Sequence, residues 1–164
     1  MAFVPTVTTI GLQPIADTST TQNHPLGTII TATDPTLGGG EFIYLKGVAS
    51  TVVGSIVNYD DDFQTALDTS AVAGPSRPLA ISMSANVASQ YGWYQISGLA
   101  VATKANTVSF ADGAGLGAAS GLAVAVATGT VIQSAVVRAV ASAKSDVTTV
   151  KIAINRPHDP SDVS

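Results

Sequence analysis

The stretch YGWYQISGLAV, residues 91–101, holds the single tryptophan and two of the four tyrosines of the chain. In a strand, successive side chains point to opposite faces, so Tyr91 and Trp93 would share one face and Tyr94 and Ile96 the other. Exposed aromatic rings can also stack on sugars or bases. Tyr91, Trp93 and Tyr94 therefore form either a packing centre or a ligand platform, and core packing is the favoured interpretation.

Short β-branched segments separated by turn signals surround this stretch. They are residues 42–45, 51–57, 79–84, 122–128, 130–138 and 148–154. Leu79, Ile81 and Met83 alternate with smaller residues, which predicts a strand with one buried face. Residues 62–67 could form a short helical turn at most. Turn-bounded strands about ten residues apart predict an all-β fold, an antiparallel β-sandwich or a jelly-roll-like β-barrel.

The first 34 residues differ from the rest in their regularly spaced prolines. These are Pro5, Pro14 and Pro25, with Pro35 just beyond. Proline cannot donate a hydrogen bond to a sheet, so residues 1–34 are predicted to form an extended Pro/Thr-rich arm. Residues 35–155 are then the β-rich domain, and residues 156–164 are a C-terminal tail or second, shorter arm.

Composition excludes several classes of protein. Only 11% of the residues are charged, the net charge is −4 and the seven Lys and Arg are scattered, so neither disorder nor nucleic-acid binding is expected. No cysteine is present to form disulfides or thiolate metal sites. The N-terminus lacks the basic and apolar regions of a signal peptide. Residues 113–137 carry no charge, but polar residues and glycines interrupt them, so no membrane partner is expected.

Few residues could carry chemistry. His24 and His158 lie in proline-governed segments near opposite ends of the chain and are expected to be exposed, although a hydrolase using either one is an alternative. The run Asp60, Asp61 and Asp62 predicts a solvated loop, with adventitious calcium as the alternative. The glycines between residues 113 and 121 do not have the spacing of a dinucleotide-binding loop. We therefore expect no catalytic, cofactor-binding or metal-binding residues.

Residues 26–27, 40–47 (GEFIYLKG), 54–60 (GSIVNYD) and 91–98 (YGWYQISG) resemble capsid decoration, or cement, proteins of tailed bacteriophages. The resemblance implies a β-rich and usually trimeric structural protein on the outer surface of the virion head. Such a protein bridges subunits of the major capsid protein and needs no enzyme activity or cofactor.

Under this interpretation the N-terminal arm contacts a capsid subunit or a sister protomer, and the alternative is a disordered tail. The expected interface residues are Phe3, Val4, Ile10, Leu12 and Ile15. The alternative virion role is a tail, baseplate or fibre component that binds host glycans through residues 91–94.

Overall fold

The computed structural model describes residues 3–6, 11–69, 76–126, 131–138 and 147–159. Within these ranges the chain contains no helix, which confirms the all-β prediction. The strands are β1 (Val4–Pro5), β2 (Ile29–Asp34), β3 (Gly38–Lys46), β4 (Ile56–Tyr59), β5 (Thr65–Leu67), β6 (Leu79–Ser82), β7 (Tyr91–Thr103), β8 (Gly117–Ala119), β9 (Leu122–Val124), β10 (Gln133–Val137) and β11 (Thr149–His158). No helix in the described ranges is long and apolar enough to span a membrane.

Nine of these strands form one large antiparallel sheet in the order β1-β2-β3-β7-β6-β4-β5, with β11 pairing to both β7 and β10. The remaining two, β8 and β9, form a separate hairpin. This arrangement is consistent with the predicted β-sandwich.

The 13-residue strand β7 turns a corner in the sheet. Its first half pairs with β3 and β6, and its second half pairs with β11. The corner lies at Gly98, whose φ of +102° is unfavourable for other residues, and a register shift lies opposite between Glu41 and Phe42. The buried Gln95 amide donates to the carbonyls of Ser97 at 3.1 Å and Leu99 at 3.2 Å, and so stabilises the bend.

The bend lets the two halves of the sheet share one core. Ile56 and Ile81, from β4 and β6, belong to the same buried cluster as Ala100 of β7 and Ile152 of β11. The hairpin of β8 and β9 contributes Ala118 and Ala123 to that cluster. Sheets that turn corners through bulges and bends are a known way to build two packed layers.

Both faces of β3 and of the first half of β7 are covered. Trp93 lies in one cluster, against which Tyr91 packs, whereas Tyr94 and Ile96 lie in another. The prediction that these four residues divide between two faces is therefore confirmed. The alternation of tyrosine, tryptophan and isoleucine follows from a strand buried on both sides.

Two local predictions were wrong. All four residues of β6 are buried, so Leu79–Ser82 has no solvent face; layers cover this strand on both sides. Residues 62–67 form no helical turn, because the last three of them are strand β5, paired with β4. In both places tertiary packing overrides the local pattern.

The ends of the chain also differ from the predicted boundaries. Strand β2 pairs along its whole length with β3, so residues 29–34 belong to the main sheet. Ser19 bridges to Tyr91 and Ile15 is buried, which places part of the preceding segment on the sheet as well. At the other end, β11 continues to His158, beyond the predicted boundary at residue 155.

Candidate functional site

The aromatic stretch is a packing centre. Trp93 and Tyr94 have no exposed surface, and the Trp93 indole N–H donates to the Gln13 carbonyl at 2.9 Å. The Tyr44 ring lies edge-on to Trp93 with a centroid separation of 5.0 Å. Because stacking on a sugar requires an open ring face, Trp93 and Tyr94 cannot serve as the ligand platform, and Tyr91 alone is half-buried.

His24 is not an exposed tail residue, which corrects the expectation from its neighbouring proline. Its Nε2 accepts a hydrogen bond from the Gln13 backbone N–H at 3.1 Å. Its ring lies 5.1 Å from that of Tyr44 and 5.4 Å from that of Trp93, measured between centroids. The segment before β2 folds back onto the sheet, and the half-buried imidazole fills part of that contact.

His158 is likewise held in place rather than exposed in a tail. It is the last residue of β11 and pairs with Pro78 in a single antiparallel β-bridge. Its Nδ1 donates to the Asp159 carbonyl at 2.9 Å, and the Ser76 hydroxyl donates to the same oxygen at 2.8 Å. The Ser76 Oγ also lies 3.4 Å from Nδ1. Both groups nevertheless direct their protons to the Asp159 carbonyl, so Nδ1 is not free to accept the hydroxyl proton as a catalytic base would. This geometry fixes the ring without activating Ser76.

The predicted interface residues of the N-terminus lie in different environments. Phe3 and Ile15 are buried, and Leu12 packs against the same cluster. The Phe3 ring lies 4.9 Å from that of Phe42. These three side chains therefore face the protein's own sheet and offer little surface to a partner. Val4 is 64% exposed, and Ile10 lies outside the described residues.

The acidic run is an exposed turn. Asp60, Asp61 and Asp62 are all exposed, and Asp60 Oδ1 accepts from the backbone N–H groups of Asp62 at 3.1 Å and Gln64 at 3.0 Å. These bonds order the loop through its own backbone. Across the described part of the chain, no three His, Cys, Asp or Glu side chains converge on a possible metal position.

A pair of carboxyl groups that the sequence did not reveal joins the ends of β5 and β11. Asp68 is 1% exposed, and its Oδ1 accepts from the Asn58 amide at 3.1 Å. Asp68 Oδ2 and Asp159 Oδ1 are buried, and no N–H group or hydroxyl among the described residues donates to either oxygen. Burial, followed by the negative charge of Asp68 and a hydrogen bond with it, raises the pKa of Asp159 to about 7. Arg77 and His158 oppose that rise. A proton held between the two carboxyls is the arrangement that relieves their repulsion.

A rigid loop before β4 presents two adjacent valines to solvent. Val52 and Val53 are each 49% exposed. Backbone bonds from Gly54 N–H to the Ser82 carbonyl and from Thr103 N–H to the Gly54 carbonyl, both 2.8 Å, hold the loop against two strands. Val147, 43% exposed, lies two residues before the strand that pairs with Thr103.

No protein-family model, curated protein or solved structure matches this chain.

Proposed function

We propose that this protein is a structural, non-enzymatic virion protein that binds the outer surface of a tailed-phage head. There it bridges subunits of the major capsid protein, acting as a homotrimer, and stabilises the shell. The resemblance over residues 26–155 motivates this function, and the observation that carries it is the exposed valine pair on the hydrogen-bonded loop. This Val52–Val53 loop is the proposed contact with the capsid.

The loop is suited to binding because its shape exists before binding. Besides the bonds of Gly54, the Val52 N–H donates to the Ser55 hydroxyl at 3.1 Å and the Ser55 N–H donates to the Val52 carbonyl at 3.0 Å. A loop that is already ordered loses little conformational entropy on association. Burying two half-exposed valines then contributes favourable free energy without desolvating a charge.

Stabilisation of the head would follow from linkage. A protein that binds the expanded shell, but not its unassembled subunits, raises the free energy needed to disrupt that shell. Each copy adds a small interface free energy, and many copies act in parallel. A low-charge surface suits such contacts, because the buried centres of stable interfaces are depleted of charged residues.

The test is sedimentation of the purified protein with undecorated expanded heads and with procapsids, followed by heating of the heads. We expect saturable binding to expanded heads and a higher rupture temperature. The double variant Val52→Asp/Val53→Asp should lower head affinity by about tenfold or more, because it buries two charges at the contact.

The matched control is Thr18→Asp/Thr20→Asp, which adds the same charge at two other exposed β-branched positions. It should bind like the unaltered protein. Thermal melts of both variants separate lost binding from lost folding. Absence of binding to either form of the head would overturn the proposed function. Undiminished binding of the valine variant would overturn the assignment of the loop.

A further inference from the structure

A cavity of about 390 Å³ opens beside the end of β11. Its apolar lining includes Ile29, Ile96 and Pro157, and Tyr59 adds an aromatic ring. Ile29 is 45% exposed, so part of the apolar lining is open to solvent. A volume of this size lies in the range of cavities that hold small organic ligands.

Basic side chains are concentrated at this cavity. Arg77, Arg156 and His158 all line it, which is two of the three arginines and one of the two histidines of a chain whose net charge is −4. Scattered surface charges would not be expected to meet in this way. The combination of an apolar wall and guanidinium groups is typical of sites for organic anions, because a guanidinium can donate two parallel hydrogen bonds to one carboxylate.

An irregularity in β11 lies at two of these residues, Arg156 and His158. Ala135 of β10 pairs with Ile154 of β11, and Gln133 pairs with His158. Two residues along β10 are therefore matched by four residues along β11, which makes a bulge in β11. Arg156 lies inside this bulge with a φ of +48°, a conformation that is strained for a residue preceding proline. Bulges redirect side chains, and they are frequent next to functional sites.

Backbone contacts fix the chain segments that carry these residues before any ligand arrives. Asp159 N–H donates to the Arg77 carbonyl at 3.0 Å, and Pro78 bridges to His158. Arg156 Nη2 lies 3.3 Å from Glu41 Oε2, with side-chain exposures of 61% and 34%. An ion pair this exposed contributes little free energy, so a ligand carboxylate can replace Glu41 as the partner.

We propose that this cavity binds a small organic carboxylate, with the carboxylate between Arg77 and Arg156 and its apolar body against Ile29 and Ile96. The site is independent of the Val52–Val53 loop. Its test needs only the purified protein, so failure of one proposal leaves the other standing.

The test is an NMR titration of the full chain with benzoate, in parallel with benzyl alcohol and inorganic sulfate. We expect saturable shifts of the Ile29, Tyr59, Ile96 and His158 resonances with benzoate. Benzyl alcohol lacks the charge and sulfate lacks the apolar body, so each should bind more weakly. Arg77→Gln and Arg156→Gln should each weaken benzoate binding by about tenfold or more.

The matched control is Arg138→Gln, which removes the third arginine, a residue outside the cavity lining. It should bind benzoate like the unaltered protein. Glu41→Gln removes the competing carboxylate and should bind benzoate at least as tightly. Absence of saturable shifts, equal binding of benzyl alcohol, or an equal loss in Arg138→Gln would each overturn the proposal.

Discussion

At the scale of single residues, the least expected feature is the contact between Asp68 and Asp159. The two residues are far apart in sequence. From its local sequence alone, each would be interpreted as a solvated aspartate. Asn58 donates to Oδ1 of Asp68, whereas no N–H group or hydroxyl in the described part of the chain donates to Asp68 Oδ2 or Asp159 Oδ1. Two buried carboxylates cannot both be charged at low cost, so the contact depends on a proton.

This contact predicts how stability depends on pH. The native pKa of Asp159, about 7, lies above the ordinary aspartate value of 3.8. Between these two pH values the folded protein holds a proton that the unfolded chain has lost. The contribution of this group to the free energy of unfolding is therefore fully present below about pH 4, falls as the pH rises to about 7, and is constant above that.

Asp68→Asn should remove most of that dependence. The new amide can donate to the Asp159 carboxylate while its oxygen still accepts from Asn58. We expect the variant to melt about 3 °C or more above the unaltered protein at pH 8 and to show a smaller difference at pH 5. Melting temperatures across pH 4–8 measure this, with Asp61→Asn in the exposed turn as control. Parallel curves for the unaltered and Asp68→Asn proteins would contradict the shared proton.

At the scale of elements, the bend in β7 decides the architecture. An ideal Cβ on Gly98 would lie 2.4 Å from the Gly39 carbonyl oxygen, so no larger residue fits without moving the neighbouring strand. Gln95 bonds to the two carbonyls on either side of Gly98. The corner is therefore specified by one glycine and one buried amide together.

Gly98→Ala should destabilise the protein by about 3 kcal/mol or more, since backbone strain adds to a steric clash. Gly38→Ala is the matched control. Its φ of +78° is also positive, but nothing lies within 4 Å of the added carbon. The control should lose only about 1 kcal/mol, the cost of the backbone conformation. Urea unfolding measures both values, and equal losses would show that the close approach at the corner is unimportant.

At the scale of the whole molecule, the N-terminal segment is part of the packed structure. Gln13 accepts from the Trp93 indole through its carbonyl and from the Tyr44 hydroxyl through Oε1, at 2.9 and 2.8 Å. Ile15 and His24 cover the same aromatic cluster. Removing this segment would uncover Tyr44 and Trp93, two of the largest fully buried side chains.

Deletion of residues 1–28 should therefore lower the melting temperature by about 10 °C or more, because several buried side chains lose their cover. The emission of Trp93, the single tryptophan, should shift to longer wavelength as water reaches the indole. Deletion of residues 1–10 removes Phe3 but leaves Gln13 and Ile15 in place, so its effect should be smaller. An unchanged melting temperature and emission in the longer deletion would show that this segment is a dispensable arm.

The sequence alone determined the fold class and the two-faced packing of the central strand. β-Branched segments between turn signals are a local property, and so is the alternation of Trp93 and Tyr94, because both depend on the two-residue period of a strand. The same patterns could not show that β6 is buried on both faces, since a pattern records which residues are apolar and not how many layers cover them.

Only the tertiary structure decided which distant groups meet. The positions of His24 and His158, the pairing of Asp68 with Asp159, and the cavity beside Arg77 and Arg156 all join segments that are remote in sequence. Prolines mark a segment that has fewer backbone N–H groups to donate to a sheet. They do not show whether that segment extends into solvent or folds back onto the protein. That choice depends on burial against Trp93 and Tyr44, and burial is a property of the complete fold.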